Sequence, residues 1–250
     1  MRTYGLVGYP LGHSFSRKFF TEKFSIENRN EQYLNFEIDD ICRLPSVIRE
    51  YPELAGFNVT IPYKERVISF LDRMDQVAEE IGAVNTVRIQ RGPEGYVLEG
   101  FNTDASGFLE SLRPFLTPER RSALILGTGG ASKAVCYVFN LLGIKWISVS
   151  RDPVDENTVS YGQITPALME EHLLIINTTP LGTYPQTSTF PDIPYSCLTP
   201  RHLLYDLVYN PAETVFLSLG REKGAETKNG LEMLEIQALK SYEIWNEKTK

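Results

Sequence analysis

The stretch Ser122-Ala-Leu-Ile-Leu-Gly-Thr-Gly-Gly-Ala-Ser-Lys133 decides the fold. Its apolar run shows no solvent-facing alternation, which is the pattern of a strand buried on both faces. Gly127-Thr-Gly-Gly breaks that strand, and an amphipathic helix is expected over 131–142. Gly127 permits the tight turn and Gly129 lets the backbone approach a pyrophosphate. The helix N–H groups and the positive end of its dipole would then hold the anion. Gly130, Ala131 and Ser132 keep the following positions small. A ligand-free strand–helix turn would carry the same letters, so the motif needs its context.

The next strand supplies part of that context. It is expected over 146–150 and ends in Ser150-Arg151. At this place an acidic residue grips a ribose 2′-hydroxyl, whereas an arginine accommodates a 2′-phosphate. Arg151 therefore favours NADP. Asp152 and Asp155 follow closely, and a carboxylate turned inward would repel the phosphate and leave NAD as the alternative. Arg151 would also serve as an ordinary solvated charge at a strand end.

Further strands are expected over 172–177, 203–207 and 225–228, which makes the second half of the chain a parallel sheet with crossover helices. The first hundred residues repeat the alternation, with strands over 3–8, 32–38 and 56–60 and a pair over 85–90 and 96–101 joined by a turn. Helices are expected from Arg17, over 44–51, over 62–71 and over 104–112, and a final one over 231–245 with one broad buried face. The fold class is α/β in two domains. Residues 1–103 form an α/β unit with a mainly parallel sheet, and 104–229 a Rossmann-like doubly wound unit. Residues 230–250 are a helix expected to pack back on the first unit.

Composition bounds the function. A chain of 250 residues hides about 70–75% of its unfolded surface, enough for a substantial core. With 25 Lys and Arg against 32 Asp and Glu, the net charge of −7 argues against a general nucleic-acid binder. Three scattered cysteines without a Cys-x-x-Cys pair, and three histidines without ligand spacing, offer no metal site. The apolar stretches are too short to span a bilayer and the N-terminus lacks an apolar leader, so a cytoplasmic protein is expected. Monomer and homodimer fit this surface equally well.

Four short segments of the first unit carry polar residues where strands meet helices: His13-Ser14-Phe-Ser16, Asn58-Val-Thr60-Ile-Pro-Tyr-Lys64-Glu65, Asn85-Thr86 and Asn102-Thr-Asp104. Open α/β sheets bind ligands outside the carboxyl ends of their strands. Taken singly, Ser14 and Ser16 would as readily cap a helix, Asn102-Thr-Asp104 would make a turn and cap, and Lys64 would be a solvated first-turn lysine. Jointly, a lysine and an aspartate among hydroxyls and amides suit a polyhydroxylated carbonyl compound. An ammonium beside a carboxylate can donate the proton that a ketone needs on reduction.

These strings, with Gly82-Ala-Val-Asn85, Asn177-Thr-Thr-Pro, Tyr205-Asp-Leu-Val-Tyr209 and Met233-Leu-Glu-Ile-Gln237, resemble the shikimate dehydrogenase family over essentially the whole chain. The resemblance implies NADPH-dependent reduction of 3-dehydroshikimate to shikimate, a step of aromatic amino-acid biosynthesis. It implies a catalytic role for Lys64, as proton donor or as a group that holds and polarises the substrate, with Asp104 as its partner. Ser14 and Ser16 would take the substrate carboxylate, and Thr60, Asn85, Asp104 and Gln237 its hydroxyls, with Tyr209 lining the same pocket. Gly127, Thr128, Gly129, Gly130 and Ala131 match the pyrophosphate turn, Ser150 and Arg151 the adenosine-phosphate end, and Leu207 and Gly230 positions near the nicotinamide.

Three stretches depart from the family pattern: Arg17-Lys-Phe-Phe-Thr21 after the serines, the acidic residues after Arg151, and the absence of a methionine after Gly182. The alternatives are a quinate/shikimate dehydrogenase able to use NAD and a non-catalytic sensor of the same fold. The sensor would be expected to lose Lys64 or Asp104.

Overall fold

A computed structural model of the chain describes residues 1–12, 15–93, 95–153 and 155–247. In the first unit, β1 (Arg2–Gly8) is buried at every position after Arg2, because it lies inside its sheet with both faces covered. Helix α1 (Phe15–Ile26) leads to the edge strand β2 (Glu31–Glu37), and α2 (Leu44–Glu50) leads to β3 (Leu54–Val59). A short β4 (Arg73–Met74), α3 (Gln76–Ile81), β5 (Thr86–Gly92) and β6 (Gly95–Phe101) complete the unit, in the order β2-β1-β3-β5-β6-β4. Strand β1 runs parallel to β2 and β3, and β4 parallel to β6. The β5–β6 hairpin is antiparallel, as is its junction with β3, so this sheet is mixed. A link this short can only return the chain antiparallel.

The helix expected over 62–71 does not form. Those residues make turns and then a 3₁₀ segment, Arg66–Phe70. The Lys64 carbonyl accepts from the Val84 N–H at 2.7 Å, a tertiary bond, while the Ile68 N–H turns to the Glu65 carbonyl in a 3₁₀ bond. The spacing of Val67, Ile68 and Leu71 suits a helix, but the tertiary bond prevails.

The second unit starts with α4 (Asp104–Leu112) and the fully buried β7 (Ser122–Leu126). Each aliphatic side chain hidden there contributes about 1.5–3 kcal/mol relative to exposure. Then come α5 (Gly130–Leu142), β8 (Lys145–Val149), β9 (Thr158–Val159), α6 (Pro166–Glu171), β10 (Leu174–Asn177), β11 (Leu203–Asp206), α7 (Val215–Glu222) and β12 (Glu226–Lys228). The order β12-β11-β10-β7-β8-β9, parallel at every pairing, is the doubly wound arrangement. Its order reverses between β7 and β10, which opens a crevice at their carboxyl ends.

The chain divides into two compact units, Met1–Thr103 joined by the chain from Gln237 onward, and Asp104–Ile236. Helix α8 (Leu231–Asn246) crosses that boundary. On the first unit, Trp245 stacks on Tyr4 with ring centroids 4.7 Å apart and donates its indole N–H to the Val87 carbonyl at 3.0 Å. Gly56 makes the room: a Cβ there would lie 2.2 Å from the indole. Phe20, Phe24, Tyr33 and Tyr242 close the aromatic cluster.

Candidate active site

The segment leaving β3 is held on three sides. The Thr60 N–H donates to the Val7 carbonyl, the Tyr63 N–H to the Thr60 carbonyl, and the Tyr63 hydroxyl to the Ile38 carbonyl at 2.7 Å. With the Val84 bond added, the backbone of half-buried Lys64 is fixed beside the chain that carries Asn85.

Next to it lies a polar cluster in which Asn58, Asn85, Thr86, Thr103, Gln237 and Ser241 are all more than nine-tenths buried. Buried polar groups persist only when hydrogen-bonded, and these are. Asn85 Oδ1 accepts from the Thr103 N–H at 2.8 Å, and Asn85 Nδ2 donates to Thr103 Oγ1 at 3.0 Å and Gln237 Oε1 at 3.2 Å. Asn58 Nδ2 donates to Ser241 Oγ at 2.8 Å and its Oδ1 accepts from the Tyr33 hydroxyl at 2.8 Å. Thr86 Oγ1 lies 2.7 Å from Ser241 Oγ, and Asn102 Nδ2 donates to the Ala83 carbonyl.

The first unit thus brings Asn85 and Gln237 together across 152 residues. Ser16 is buried in α1. Burial raises the Tyr33 pKa well above the usual phenol range, with the Ser16 hydroxyl opposing. Ser14 lies outside the described residues. Asp104 and Tyr209 belong to the second unit: Asp104 is buried at the start of α4, where a carboxylate complements the helix dipole, and Tyr209 is half-buried after β11. The cluster positions not singled out from sequence are Tyr33, Asn58, Thr86, Thr103 and Ser241. Three of them stand inside the quoted motifs, and Ser241 lies one helical turn beyond Gln237.

In the second unit, Gly127 has φ +110°, and a Cβ there would lie 2.7 Å from Thr178 Oγ1. Only glycine meets both conditions. Thr128 and Gly129 are exposed at the tip, a Cβ on Gly129 would meet open space, and Gly130 and Ala131 begin α5. No acidic residue stands in the first turn of that helix, and Ser132 Oγ turns back onto the Gly129 carbonyl at 2.6 Å. Free N–H groups at a helix start, in the crevice where strand order reverses, fit a dinucleotide pyrophosphate.

Ser150 and exposed Arg151 follow β8. Asp155 Oδ1 accepts from the Asn157 N–H at 3.0 Å and from Thr158 Oγ1 at 2.6 Å, so its carboxylate is used within the loop. Those bonds orient the Asp155 carboxylate, and its charge stands beside that of exposed Asp152 after Arg151.

Behind the crevice, fully buried Asp206 accepts from Asn177 Nδ2 at 2.9 Å, the Val208 N–H at 3.0 Å and Thr214 Oγ1 at 2.6 Å. Burial pushes its pKa up to about 6, against the pull of those three donors. Leu207 donates its N–H to the Asn177 carbonyl, and Gly230 donates its own to the Val208 carbonyl. The two cofactor-end positions expected near a nicotinamide are thus tied to the same strand ends. Among the described residues no cluster of His, Cys, Asp or Glu could hold a metal ion, and no helix is long and apolar enough to cross a membrane.

Residues 6–87 match the family model for the shikimate dehydrogenase substrate binding domain. A curated relative from Carboxydothermus hydrogenoformans, shikimate dehydrogenase (NADP(+)), is 38% identical over 257 residues, covering 96% of this chain and 90% of its own. The crystal structure of shikimate dehydrogenase from Aquifex aeolicus superposes with a TM-score of 0.85 at 33% identity, covering 98% of this chain and 92% of that one. The Thermus thermophilus enzyme in complex with NADP(H) and shikimate gives 0.84 at 31% identity, covering 98% and 94%. With such identity spread over nine-tenths of each partner, the chain belongs to the shikimate dehydrogenase family.

Proposed function

We propose that this protein catalyses the reversible NADPH-dependent reduction of 3-dehydroshikimate to shikimate, a cytoplasmic step toward chorismate and the aromatic amino acids. The observation that carries the reading is the pairing of Asn85 with Gln237 beside the clamped Lys64 segment, within a unit matched by a substrate-binding domain. The bound cofactor supplies the hydride to the ketone carbon. The carbonyl oxygen needs a proton, and Lys64 is the group we assign to donate it or to polarise the carbonyl, with Asp104 as its carboxylate partner.

Ser14 and Ser16 are assigned to the carboxylate, Thr60, Asn85, Asp104 and Gln237 to the hydroxyls, and Tyr209 to the wall of the pocket. For the cofactor, the turn Gly127, Thr128, Gly129, Gly130 and Ala131 would take the pyrophosphate and Ser150 with Arg151 the adenosine phosphate. Leu207 and Gly230 would border the nicotinamide. Residues 1–103 with the final helix would then be the substrate-binding part, and the segment from Asp104 the cofactor-binding part.

The test is steady-state absorbance of nicotinamide reduction by the purified protein, with shikimate and quinate each against NADP and NAD. Turnover chiefly with shikimate and NADP is expected. Comparable rates with quinate or NAD would move the protein to the dual-specificity class. Binding of shikimate without turnover in any pair would overturn the catalytic reading.

A further inference from the structure

Two backbone groups set the orientation of the side-chain amides in the buried cluster of the first unit, because a backbone group cannot exchange donor for acceptor. The Thr103 N–H fixes Asn85 Oδ1, so Asn85 Nδ2 must face Gln237 and select its Oε1. In the other direction, the Asn85 carbonyl accepts from Asn58 at 3.2 Å. That places Asn58 Nδ2 on this side and turns its Oδ1 toward Tyr33. The Tyr33 proton is therefore committed to Asn58.

Ser241 stands where the two directions meet. Its Oγ donates to the Gln237 carbonyl at 2.8 Å, one helical turn back, and accepts from Asn58 Nδ2. Thr86 Oγ1 and Thr103 Oγ1 lie 2.7 and 3.2 Å away. Ser241 is fully buried and Tyr33 nearly so, so a lost partner strands a polar atom away from water. A continuous chain of such bonds strengthens each member and specifies one arrangement.

We propose that Tyr33, Asn58 and Ser241 form a spine of positioning residues. Through the Thr86 and Thr103 hydroxyls that Ser241 holds, they steady Asn85 and Gln237, the groups presented to a carboxylated polyhydroxy ring. The inference rests on the reading of Asn85 and Gln237 as substrate-binding residues. The spine acts through those neighbours and needs no contact with substrate itself. Without it the Thr86 and Thr103 hydroxyls, which bond Asn85 Oδ1 and Gln237 Oε1, lose Ser241 as a partner, and the two amides are held less tightly toward the ring hydroxyls. The loss then falls on recognition of the ring and spares the dinucleotide.

In the full-length enzyme, Ser241→Ala should raise the KM for shikimate about five- to tenfold, the scale of one net hydrogen bond. The KM for NADP should stay within about twofold. Tyr33→Phe, at the far end of the spine, should give the same split. The Ser241→Ala penalty should shrink for at least one shikimate analogue lacking a non-reacting ring hydroxyl, which a general loss of stability would not produce. Wild-type shikimate KM in both variants, while Gln237→Ala raises it, would overturn the spine. If Asn85→Ala and Gln237→Ala leave shikimate KM unchanged, the substrate-site reading itself fails and the spine falls with it. Failure of both spine variants to fold would also overturn the proposal, since the residues would then serve stability alone.

Discussion

The two units build their candidate sites from different materials. In the first, the groups that converge are side chains: amides and hydroxyls from β2, β3, β5, α8 and the residues just before β5 and α4, each buried and each held by the next. In the second, they are backbone N–H groups at the Gly127 turn and the start of α5, presented where a parallel sheet reverses its strand order. A backbone donor has its polarity fixed by the fold, whereas a side-chain amide can rotate and needs a neighbour to choose for it. Side-chain recognition can read a pattern of ring hydroxyls. Backbone recognition suits a pyrophosphate, which is the same in either dinucleotide. Discrimination between the two dinucleotides then has to come from a side chain outside the turn.

The largest effect should come from removing the one cation of the first unit assigned to chemistry. Lys64→Ala is expected to lower kcat by about 10²- to 10⁴-fold, the range for a positioned general acid. The KM for shikimate should move far less, because the amides and hydroxyls remain to bind the ring. Nearly normal turnover would remove Lys64 from the reaction and leave the first unit with binding alone.

The contrast between the units also explains what could be read in advance. The run 122–126, the glycine turn and the helix after it are contiguous, so local pattern was enough to place β7, Gly127 and α5. The spine of the first unit joins Asn58 to Ser241 across 183 residues. Nothing near Ser241 separates it from any other polar residue in a helix until the aromatic contacts of Trp245 seat that helix on the sheet. Asn58, Thr86 and Thr103 stood within motifs whose neighbours drew attention. Asn85 and Lys64 looked functional by residue type, while their supports looked like ordinary turn and strand residues. The segment 62–71 differs for the same reason: its helical spacing is local, and the bond from Val84 that ties its backbone to the neighbouring chain is not.

Asp206 offers a sharper test of the second unit, since it is a fully buried carboxylate and its pKa is pushed up to about 6 from an ordinary 3.8. The folded state therefore holds the proton more tightly than the unfolded chain. Stability should be greatest while Asp206 is protonated, decline as pH rises from about 4 to about 6, and be flat above that. Two pH units of such coupling correspond to about 3 kcal/mol. Asp206→Asn keeps an acceptor for Asn177 and the Val208 N–H but cannot ionise, so it should remove this decline. Hydrogen exchange of second-unit amides across pH 4–7 would report it. Equal slopes in wild type and variant would show that the three donors already offset the cost of burying the charge.

The smallest effect concerns the side chain that must tell NADP from NAD. Arg151 is exposed after β8, and it stands against two carboxylates, exposed Asp152 beside it and Asp155, whose Oδ1 is oriented by its own loop. A charge-assisted contact to a phosphate contributes about 1.5 kcal/mol or more. Arg151→Ala should therefore raise the KM for NADP about tenfold and leave that for NAD within about twofold. Asp152→Asn should act in the opposite sense and more weakly, lowering the NADP value by about twofold, as expected for an exposed charge screened by solvent. Paired cofactor titrations of both variants separate the arginine from the carboxylate beside it. Should Arg151→Ala impair NAD as much as NADP, the arginine would be supporting the loop, and discrimination at this site would lie with the acidic residue beside it.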